Sequence, residues 1–311
     1  MKVIGRQMIL SDSRIQKRIR AAACASLCLL LCACSAFSPA VHAQRGGYEE
    51  APAPERWYRE RLDDRQKRVY DAFEKAAETP FGDEIAVASK GEEGGRFTLR
   101  EVNEIYQVFW YDHPELIWLG SSFRYSGGGD QDEPGIEAVG LIPIFASKEE
   151  LEKKEEAFAR GAETFLEGID PEAPDSEKAR RIYDRMVAGI SYDPQSVYDP
   201  SLAEAHSAYG ALVNKEAACD GYALAYRYLL SRLDIPCLCI PGEGDGEPHV
   251  WNTVYWDGRW HEVDVTWDAM NAAGGQPGPT DGRYYDLTTE EMNADHEREA
   301  SPAALLAPEA P

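Results

Sequence analysis

Apolar side chains recur at helical spacing along the first half of the chain. Between residues 55 and 77 they fall every three or four positions, so that Trp57, Val69 and Phe73 share one face. A second helix is predicted to follow Thr98, which can cap it, with Glu101 three residues later as in a capping box. The helices predicted from such patterns span residues 55–77, 98–111, 148–166 and 176–190.

Alternating and turn-bounded patterns predict strands in two places. Residues 116–125 and 136–145 flank a triple-glycine loop and form one predicted hairpin. Further along, the pattern predicts a buried helix, a short strand, a solvated acidic loop and a second hairpin, over residues 217–233, 235–240, 242–247, 249–256 and 259–267. The Asp257-Gly258 pair inside this hairpin is typical of a two-residue turn. These patterns together predict an α+β fold with a mainly helical N-terminal region.

The first 43 residues have the composition of a targeting segment. Basic residues between Arg14 and Arg20 precede an uncharged, Leu-rich stretch, which is the order of a secretory signal. Small residues at 41–43 fit an ordinary cleavage site, whereas Leu31-Cys32-Ala33-Cys34 resembles a bacterial lipobox in which Cys34 is the lipidated residue. An uncleaved anchor is a third alternative, although the apolar stretch barely reaches the ~17–25 residues that span a bilayer. Under all three alternatives the body of the protein is predicted to lie outside the cytoplasm, and we expect it to be secreted or lipid-anchored at the cell surface.

We divide the rest of the chain into four predicted parts. Residues 44–54, rich in Gly, Ala and Pro, are predicted to be a linker. An N-terminal α/β region of unknown role is predicted at 55–169, a second domain, which carries the candidate chemistry described below, at 170–298 and a disordered C-terminal tail at 299–311.

The chain is strongly acidic. It carries 55 acidic against 32 basic side chains and a formal charge of -23. Because such a surface repels nucleic acid phosphates and anionic headgroups, we expect no nucleic acid partner and membrane contact only through the N-terminus. Beyond the targeting segment the cysteines are Cys219, Cys237 and Cys239, an odd number that argues against a disulfide framework. Cys237 and Cys239 fit core positions of a strand, which leaves Cys219 to be explained.

Side chains suited to thiol acyl transfer are predicted to meet at the second hairpin. Cys219 begins the buried helix, where unpaired N–H groups and the helix dipole favour a thiolate and would lower its pKa. Across the Asp-Gly turn His249 lies opposite Thr266, and Asp264 points to the same face two residues away. Such diagonal neighbours are about 7–8 Å apart at the backbone, within reach of a carboxylate and an imidazole.

The same register excludes competitors for the carboxylate and imidazole roles. His261 falls on the face opposite to Asp264, and Glu262 lies two residues further from His249. The predicted roles are those of a triad, in which Cys219 attacks a carbonyl, His249 takes and returns the proton, and Asp264 orients the imidazole.

Further site residues follow with less support from the pattern. The backbone N–H of Cys219 supplies one oxyanion donor, and Tyr209 is the candidate for a second. Trp251 and Trp267 share the His249 face, where they either wall the cleft or are core aromatics.

Three segments around these residues resemble the bacterial transglutaminase-like domain: AACDGYA at 217–223, HVWN at 249–252 and WHEVDVTWD at 260–268. The resemblance extends over about 176–298 and implies a papain-like fold, in which a Cys-bearing helix packs on an antiparallel sheet carrying the His and the Asp. It also implies a His where Tyr183 stands, a departure outside the triad. The segment YDHPE at 111–115 is similar to the N-terminal part of a secreted subset of these proteins.

The expected activity is acyl transfer from a peptide-type amide through a thioester, without a cofactor or metal. We expect a cysteine peptidase or amidase that acts on protein or cell-wall peptide. A protein cross-linking transglutaminase, or a binding module that keeps the fold without chemistry, are the alternatives.

Overall fold

The structure is a computed structural model that describes residues 56–87, 96–129, 134–273 and 282–311. The predicted targeting segment, with Cys34, and the predicted linker lie outside the described residues. Within the described ranges no helix combines the length and the apolarity needed to cross a membrane.

The N-terminal region combines helices with a three-stranded antiparallel sheet in which β3 lies between β1 and β2. Its elements are α1 (Trp57–Arg61), α2 (Asp64–Ala77), β1 (Ile85–Ala86), α3 (Leu99–Asp112), β2 (Leu119–Gly129), β3 (Pro134–Pro143) and α4 (Lys148–Leu166). The capping box predicted for α3 is present, because Thr98 and Glu101 each accept the other's backbone N–H. The single helix predicted over 55–77 is instead two helices, since Asp63 and Gln66 form a second capping box that starts α2.

The C-terminal half is built on a four-stranded antiparallel sheet in the order β8-β7-β6-β9. Its elements are α5 (Asp175–Gly189), β4 (Ser191–Tyr192), a 3-10 helix (Pro200–His206), a π-helical turn (Gly210–Asn214), β5 (Glu216–Ala217), α6 (Cys219–Ser231), β6 (Cys237–Gly244), β7 (Glu247–Trp256), β8 (Arg259–Val263), α7 (Val265–Ala273), α8 (Thr289–Met292), β9 (His296–Arg298) and α9 (Pro302–Leu306). The mixture of helices and antiparallel sheet confirms the predicted α+β class.

Both hairpins of this sheet turn on an Asp-Gly pair. The predicted register is present between β7 and β8, where Trp256 pairs with Arg259 across the Asp257-Gly258 turn. The loop predicted at 242–247 is wrong, because β6 continues to Gly244 and β7 begins at Glu247. Asp245 and Gly246 have φ of 50° and 78°, the left-handed backbone that a two-residue hairpin turn requires. The acidic residues of this segment suggested a solvated loop, although Asp245-Gly246 is the same turn signal as the pair at 257–258.

The strand predicted at 259–267 ends early. β8 stops at Val263, and α7 begins at Val265. The cause is Asp264, whose Oδ1 accepts the backbone N–H of Thr266 at 2.8 Å and of Trp267 at 3.3 Å, as an N-cap side chain does. His249 therefore faces Gly242 of β6 and has no strand partner at Thr266.

The C-terminal segment predicted to be disordered is packed. Residues 302–306 form α9, and the alanines at 303, 304, 307 and 310 are buried. Backbone carbonyls of this segment accept hydrogen bonds from Trp57 at 3.0 Å and from Arg298 at 3.0 Å. Small side chains give a weak sequence signal for order, yet they allow this close approach to the rest of the protein.

The two halves share one hydrophobic core. Buried residues of α2, α3 and β3 belong to the same cluster as those of α5, α6 and β6. At the junction, Arg227 of α6 forms a fully buried ion pair with Asp112 at 2.8 Å, and the Tyr58 hydroxyl donates to the Cys239 carbonyl at 2.6 Å. The N-terminal region thus supports the back of α6 and β6. The boundary at 169/170 falls in the connection between α4 and α5 and stays a prediction.

Candidate active site

Cys219 is the first helical residue of α6, as predicted. Ala218 before it is extended, and no side chain caps the helix at that residue. The Gly221 N–H donates to Oδ1 of Asp220 at 2.9 Å, so the N–H of Cys219 is the first-turn donor that could serve a ligand. The backbone N–H groups of Val250 and Asp220 donate to the sulfur. Because Val250 follows His249 on β7, this contact places the thiol beside the imidazole-bearing strand.

Gly221 holds the start of α6 against the chain that precedes it. A Cβ at this position would lie 2.3 Å from the carbonyl oxygen of Ala205 and 3.1 Å from that of Ser207. The Ala218 N–H donates to the same Ala205 carbonyl at 2.9 Å. Only glycine permits this approach, which fixes the position of the helix N-terminus and of Cys219.

His249 and Asp264 form the predicted pair. Nε2 of His249 lies 2.8 Å from Oδ2 of Asp264, and the Asp264 side chain is completely buried. An ionised carboxylate only accepts, so the proton lies on Nε2, and Nδ1 of neutral His249 is the free base. The N-cap hydrogen bonds from Thr266 and Trp267 fix the other carboxylate oxygen.

A second imidazole, which the sequence reasoning did not assign, contacts the same carboxylate. Nε2 of His296 lies 3.3 Å from Oδ2 of Asp264, and its Nδ1 lies 2.7 Å from Oδ1 of Asp295. His296 is on β9, which joins the sheet across β6, so the register of the β7–β8 hairpin gives no information about it. Its one sequence signal is its place at the end of the segment that resembles the transglutaminase-like domain.

Charge and burial act differently on the members of this group. Burial opposes ionisation of Asp264, but the neighbouring His249 and His296 outweigh it and hold its pKa well below the ordinary range. Burial also opposes protonation of His296, and the hydrogen bonds and charges of Asp264 and Asp295 outweigh it and raise its pKa.

The expectation of a lowered thiol pKa is wrong for the resting site. Desolvation of the Cys219 sulfur is the largest effect and raises its pKa, and the carboxylates of Asp220 and Asp264 raise it further. The backbone N–H groups of Val250 and Asp220 lower the pKa of the thiol but do not offset these effects. The helix N-terminus therefore does not lower the pKa of the Cys219 thiol in the resting site.

The tryptophans predicted for the cleft both pack around the imidazoles. Trp251 is almost completely buried, with its ring centre 6.1 Å from that of His249, and its indole N–H donates to Glu262. Trp267 is half-buried and lies 5.6 Å from the His249 ring and 4.4 Å from the His296 ring. Trp251 is thus a core aromatic, and Trp267 is the one that can border a cleft.

Other predicted residues have partners outside the group. Tyr209 packs 5.9 Å from Phe145, and the amine of Lys154 lies 4.6 Å from its ring, so its role as an oxyanion donor stays a prediction. His261 bonds Asp286 at 2.5 Å, away from Asp264, as the register predicted. The Tyr183 hydroxyl donates to Asp268, whose carboxylate also caps the Tyr284 N–H.

Among the described residues, His249, Asp264 and His296 form a group that could hold a metal ion. Each offers one ligand atom, and these atoms lie within 4.8 Å of one another. Hydrogen bonds account for this convergence, because both Nε2 atoms meet one carboxylate oxygen.

A thiol at the start of a buried helix, beside an imidazole–carboxylate pair on an antiparallel sheet, is an arrangement of the papain-like fold. Residues 163–265 match the family model of the transglutaminase-like superfamily. The matched range includes Cys219, His249 and Asp264. Over these residues, about a third of the chain, the protein is similar to the transglutaminase-like superfamily. Members of that superfamily are typically cysteine peptidases or acyltransferases.

Two curated relatives and a solved structure are similar to part of the chain. Kyphoscoliosis peptidase of Mus musculus is 30% identical over 105 residues, and that of Homo sapiens is 30% identical over 162 residues. These matches cover 30% and 46% of this chain but 16% and 24% of the relatives, so the chain spans a small part of their length. A crystal structure of a TGase is 14% identical, with a TM-score of 0.33, over 47% of this chain and 44% of that one.

Proposed function

We propose that this protein is a cysteine hydrolase that cleaves peptide-type amides through a thioester on Cys219. The observation that carries the proposal is the 2.8 Å hydrogen bond between the buried Asp264 and His249, next to a thiol at a helix N-terminus. This arrangement supplies a nucleophile, a base with a free Nδ1 and a group that fixes the base.

In the first half-reaction Nδ1 of His249 takes the proton of the Cys219 thiol as the sulfur bonds to the substrate carbonyl carbon. The carbonyl oxygen becomes an oxyanion, which the unpaired N–H of Cys219 can stabilise. The C–N bond then breaks, and His249 returns its proton to the departing amine. The product on the enzyme is a thioester.

In the second half-reaction water attacks the thioester. His249 removes a proton from water, the new C–O bond forms, and the C–S bond breaks as the proton returns to sulfur. Asp264 stays ionised and stabilises the imidazolium that forms in each half. Because the raised pKa of Cys219 keeps the thiol protonated at rest, the activity depends on His249 more than on the helix N-terminus.

Hydrolysis is tested with casein and with a synthetic bacterial stem peptide, each with and without a fluorescent primary amine. Mass spectrometry detects new amino and carboxyl termini as hydrolysis and added amine mass as transamidation. We expect hydrolysis that Cys219→Ala removes and that Cys237→Ala, a matched change at a buried thiol on β6, retains. Amine incorporation without hydrolysis would identify a cross-linking enzyme, and neither product would favour a binding module.

The proposed setting is extracytoplasmic, with a protein or cell-wall peptide as substrate. Support comes from the basic and then apolar order of residues 14–41 and from the charge of -23, which disfavours nucleic acid partners. The mass of the mature N-terminus distinguishes cleavage after Ala43 from lipidation at Cys34. Incorporation of labelled fatty acid that Cys34→Ser abolishes would establish the lipid-anchored form.

A further inference from the structure

His296 is a buried imidazole that the proposed reaction does not use. Its side chain has no exposed surface, and both of its ring nitrogens meet carboxylates, Asp264 at 3.3 Å and Asp295 at 2.7 Å. Its ring centre lies 5.4 Å from that of His249. Two imidazoles therefore share one carboxylate oxygen of the candidate triad.

The hydrogen-bond partners fix the protonation of His296. Asp264 already accepts the Nε2 proton of His249 and two backbone N–H groups, so it is ionised and cannot donate. Asp295 accepts the Tyr284 hydroxyl at 2.8 Å and lies 3.9 Å from the guanidinium of Arg283. Since both carboxylates accept, both nitrogens of His296 donate, and a ring that donates twice is a cation.

This inference rests on the function proposed above. We propose that His296 is an imidazolium held between Asp264 and Asp295, and that it is a positioning residue for the Cys219–His249 pair. It holds the Asp264 carboxylate from a second direction. It also places a positive charge beside His249, which sets the pH range over which that pair works.

The first consequence concerns orientation. Four donors engage Asp264, and only one of them is His249. The carboxylate therefore stays aligned while His249 gains and loses a proton during each cycle. Loss of the His296 donor leaves Oδ2 held by His249 alone.

The second consequence concerns charge. A cation next to His249 disfavours a second positive charge there and favours the neutral base. Trp251, Trp267 and Tyr284 pack around the His296 ring and add no charge. The other charged groups around the cavity of about 530 Å³ that His296 borders are Glu243, Asp245, Glu297, Arg298 and Glu309. Arg298 is the one cation among them, and the charges that act most on the buried His296 ring are those of Asp264 and Asp295.

Two neutral substitutions separate the two contacts. The amide nitrogen of Gln can reach the position of Nε2 and donate to Asp264, whereas that of Asn corresponds to Nδ1 and reaches only Asp295. His261→Asn is the matched control, because His261 is also buried and bonded to a carboxylate but contacts neither Asp264 nor His249.

The pH dependence of Cys219 alkylation by iodoacetamide, located by mass spectrometry, requires no substrate. Removing the cation raises both apparent pKa values of the coupled Cys219–His249 pair, whichever of the two holds the proton. We expect His296→Gln to shift the profile upward by about one pH unit and His261→Asn to leave it in place. An unshifted His296→Gln profile would overturn the inference whatever the hydrolysis assay shows.

Hydrolysis gives the test of positioning. We expect kcat to fall about tenfold or more in His296→Asn, with less loss in His296→Gln and an unchanged KM in both. Equal losses in the two variants, or a loss that follows the melting temperature, would contradict a positioning role. His296→Gln keeps the test valid if His296→Asn fails to fold.

Nitrogen NMR of protein with isotope-labelled histidine measures directly whether both ring nitrogens of His296 carry a proton. We expect both nitrogens of His296 to show protonated shifts at pH 7.5, assigned by their loss in His296→Gln. A neutral tautomer at pH 7.5 would overturn the inference. An imidazolium in a protein that hydrolyses neither probe substrate would instead refute the proposed function and leave the charge assignment standing.

Discussion

His261 and His296 occupy opposite edge strands of the same sheet, β8 and β9, and illustrate how a partner decides the state of a buried imidazole. Both side chains are almost completely buried, and both ring nitrogens of each meet oxygen atoms. His296 lies between two carboxylates. His261 lies between the half-exposed carboxylate of Asp286 and the peptide carbonyl of Trp256, 3.2 Å away.

The consequence is an opposite effect on the two pKa values. Burial lowers the pKa of His261, and its single carboxylate, next to the cation of Arg259, does not reverse the effect. For His296 the two carboxylates overcome burial and raise the pKa. Burial alone therefore does not predict the charge of an imidazole, and the second carboxylate decides it.

The largest expected effect comes from replacing the carboxylate beside each histidine with an amide. Asp264→Asn removes the acceptor that fixes the His249 tautomer, and we expect kcat to fall by ~10³–10⁴. Asp286→Asn makes the same chemical change beside His261 and should alter kcat less than about threefold, since His261 contacts no triad residue. Steady-state hydrolysis measures kcat of both variants. Comparable losses of kcat would contradict a distinction between the two edges of the sheet.

A chain ending at residue 301 tests the support of the β9 edge. This truncation removes α9, the buried alanines and the carbonyls that accept from Trp57 and Arg298. We expect a loss of about 3–5 kcal/mol in the free energy of unfolding, measured in urea. The control ends at residue 310, which removes only the exposed last residue. Equal stability of the two chains would restore the view of a disordered tail.

The pH dependence of stability should have opposite signs for the two histidines. His296, with a raised pKa, stabilises the fold fully below its ordinary value of 6.5, and the contribution is lost as pH rises through the raised pKa. The stability difference between wild type and His296→Asn, about 2–3 kcal/mol at pH 6, should therefore shrink at higher pH.

For His261 the lowered pKa means that wild-type stability declines as pH falls from 6.5 through that pKa. The difference between wild type and His261→Asn should shrink in the acid direction instead. Urea unfolding from pH 5 to 8.5 measures both differences. Slopes of the same sign would contradict the distinction between one carboxylate and two.

The smallest effect is expected at Arg259, whose guanidinium lies 3.5 Å from Asp286 with both side chains about half exposed. Because the Arg259 charge lowers the pKa of His261, Arg259→Gln should move that pKa upward, with a stability change of about 0.5 kcal/mol or less. An NMR titration of His261 measures the direction, and Arg283→Gln, a change at another exposed arginine, is the control. A downward shift would show that Arg259 does not act on His261 through charge.

Local sequence signals specified much of the fold. The Thr98 capping box, the charge-laced helix at 148–166 and the Asp257-Gly258 turn each depend on neighbours a few residues apart, and each is present. The Cys219 helix start followed from the same short-range rules. His249 and Asp264 do meet, but Asp264 lies beyond the end of β8 and not on the predicted strand face.

Other features depended on contacts between distant segments. Asp264 ends β8 early because its side chain caps α7, and the C-terminal alanines are ordered only because Trp57 and Arg298 bond their backbone. The raised thiol pKa likewise arises from burial by the assembled fold, which outweighs the local helix N-terminus.

By itself the sequence determined the elements, the hairpin register and the thiol, imidazole and carboxylate of the candidate site, because helix caps, turns and strand alternation act over a few residues. The tertiary structure alone decided that β9 joins the sheet beside β6 and brings His296 to Asp264, 32 residues away along the chain. No periodicity links two strands that are paired through a third. Their separation in sequence is bridged by packing, and packing then sets burial and charge at the site.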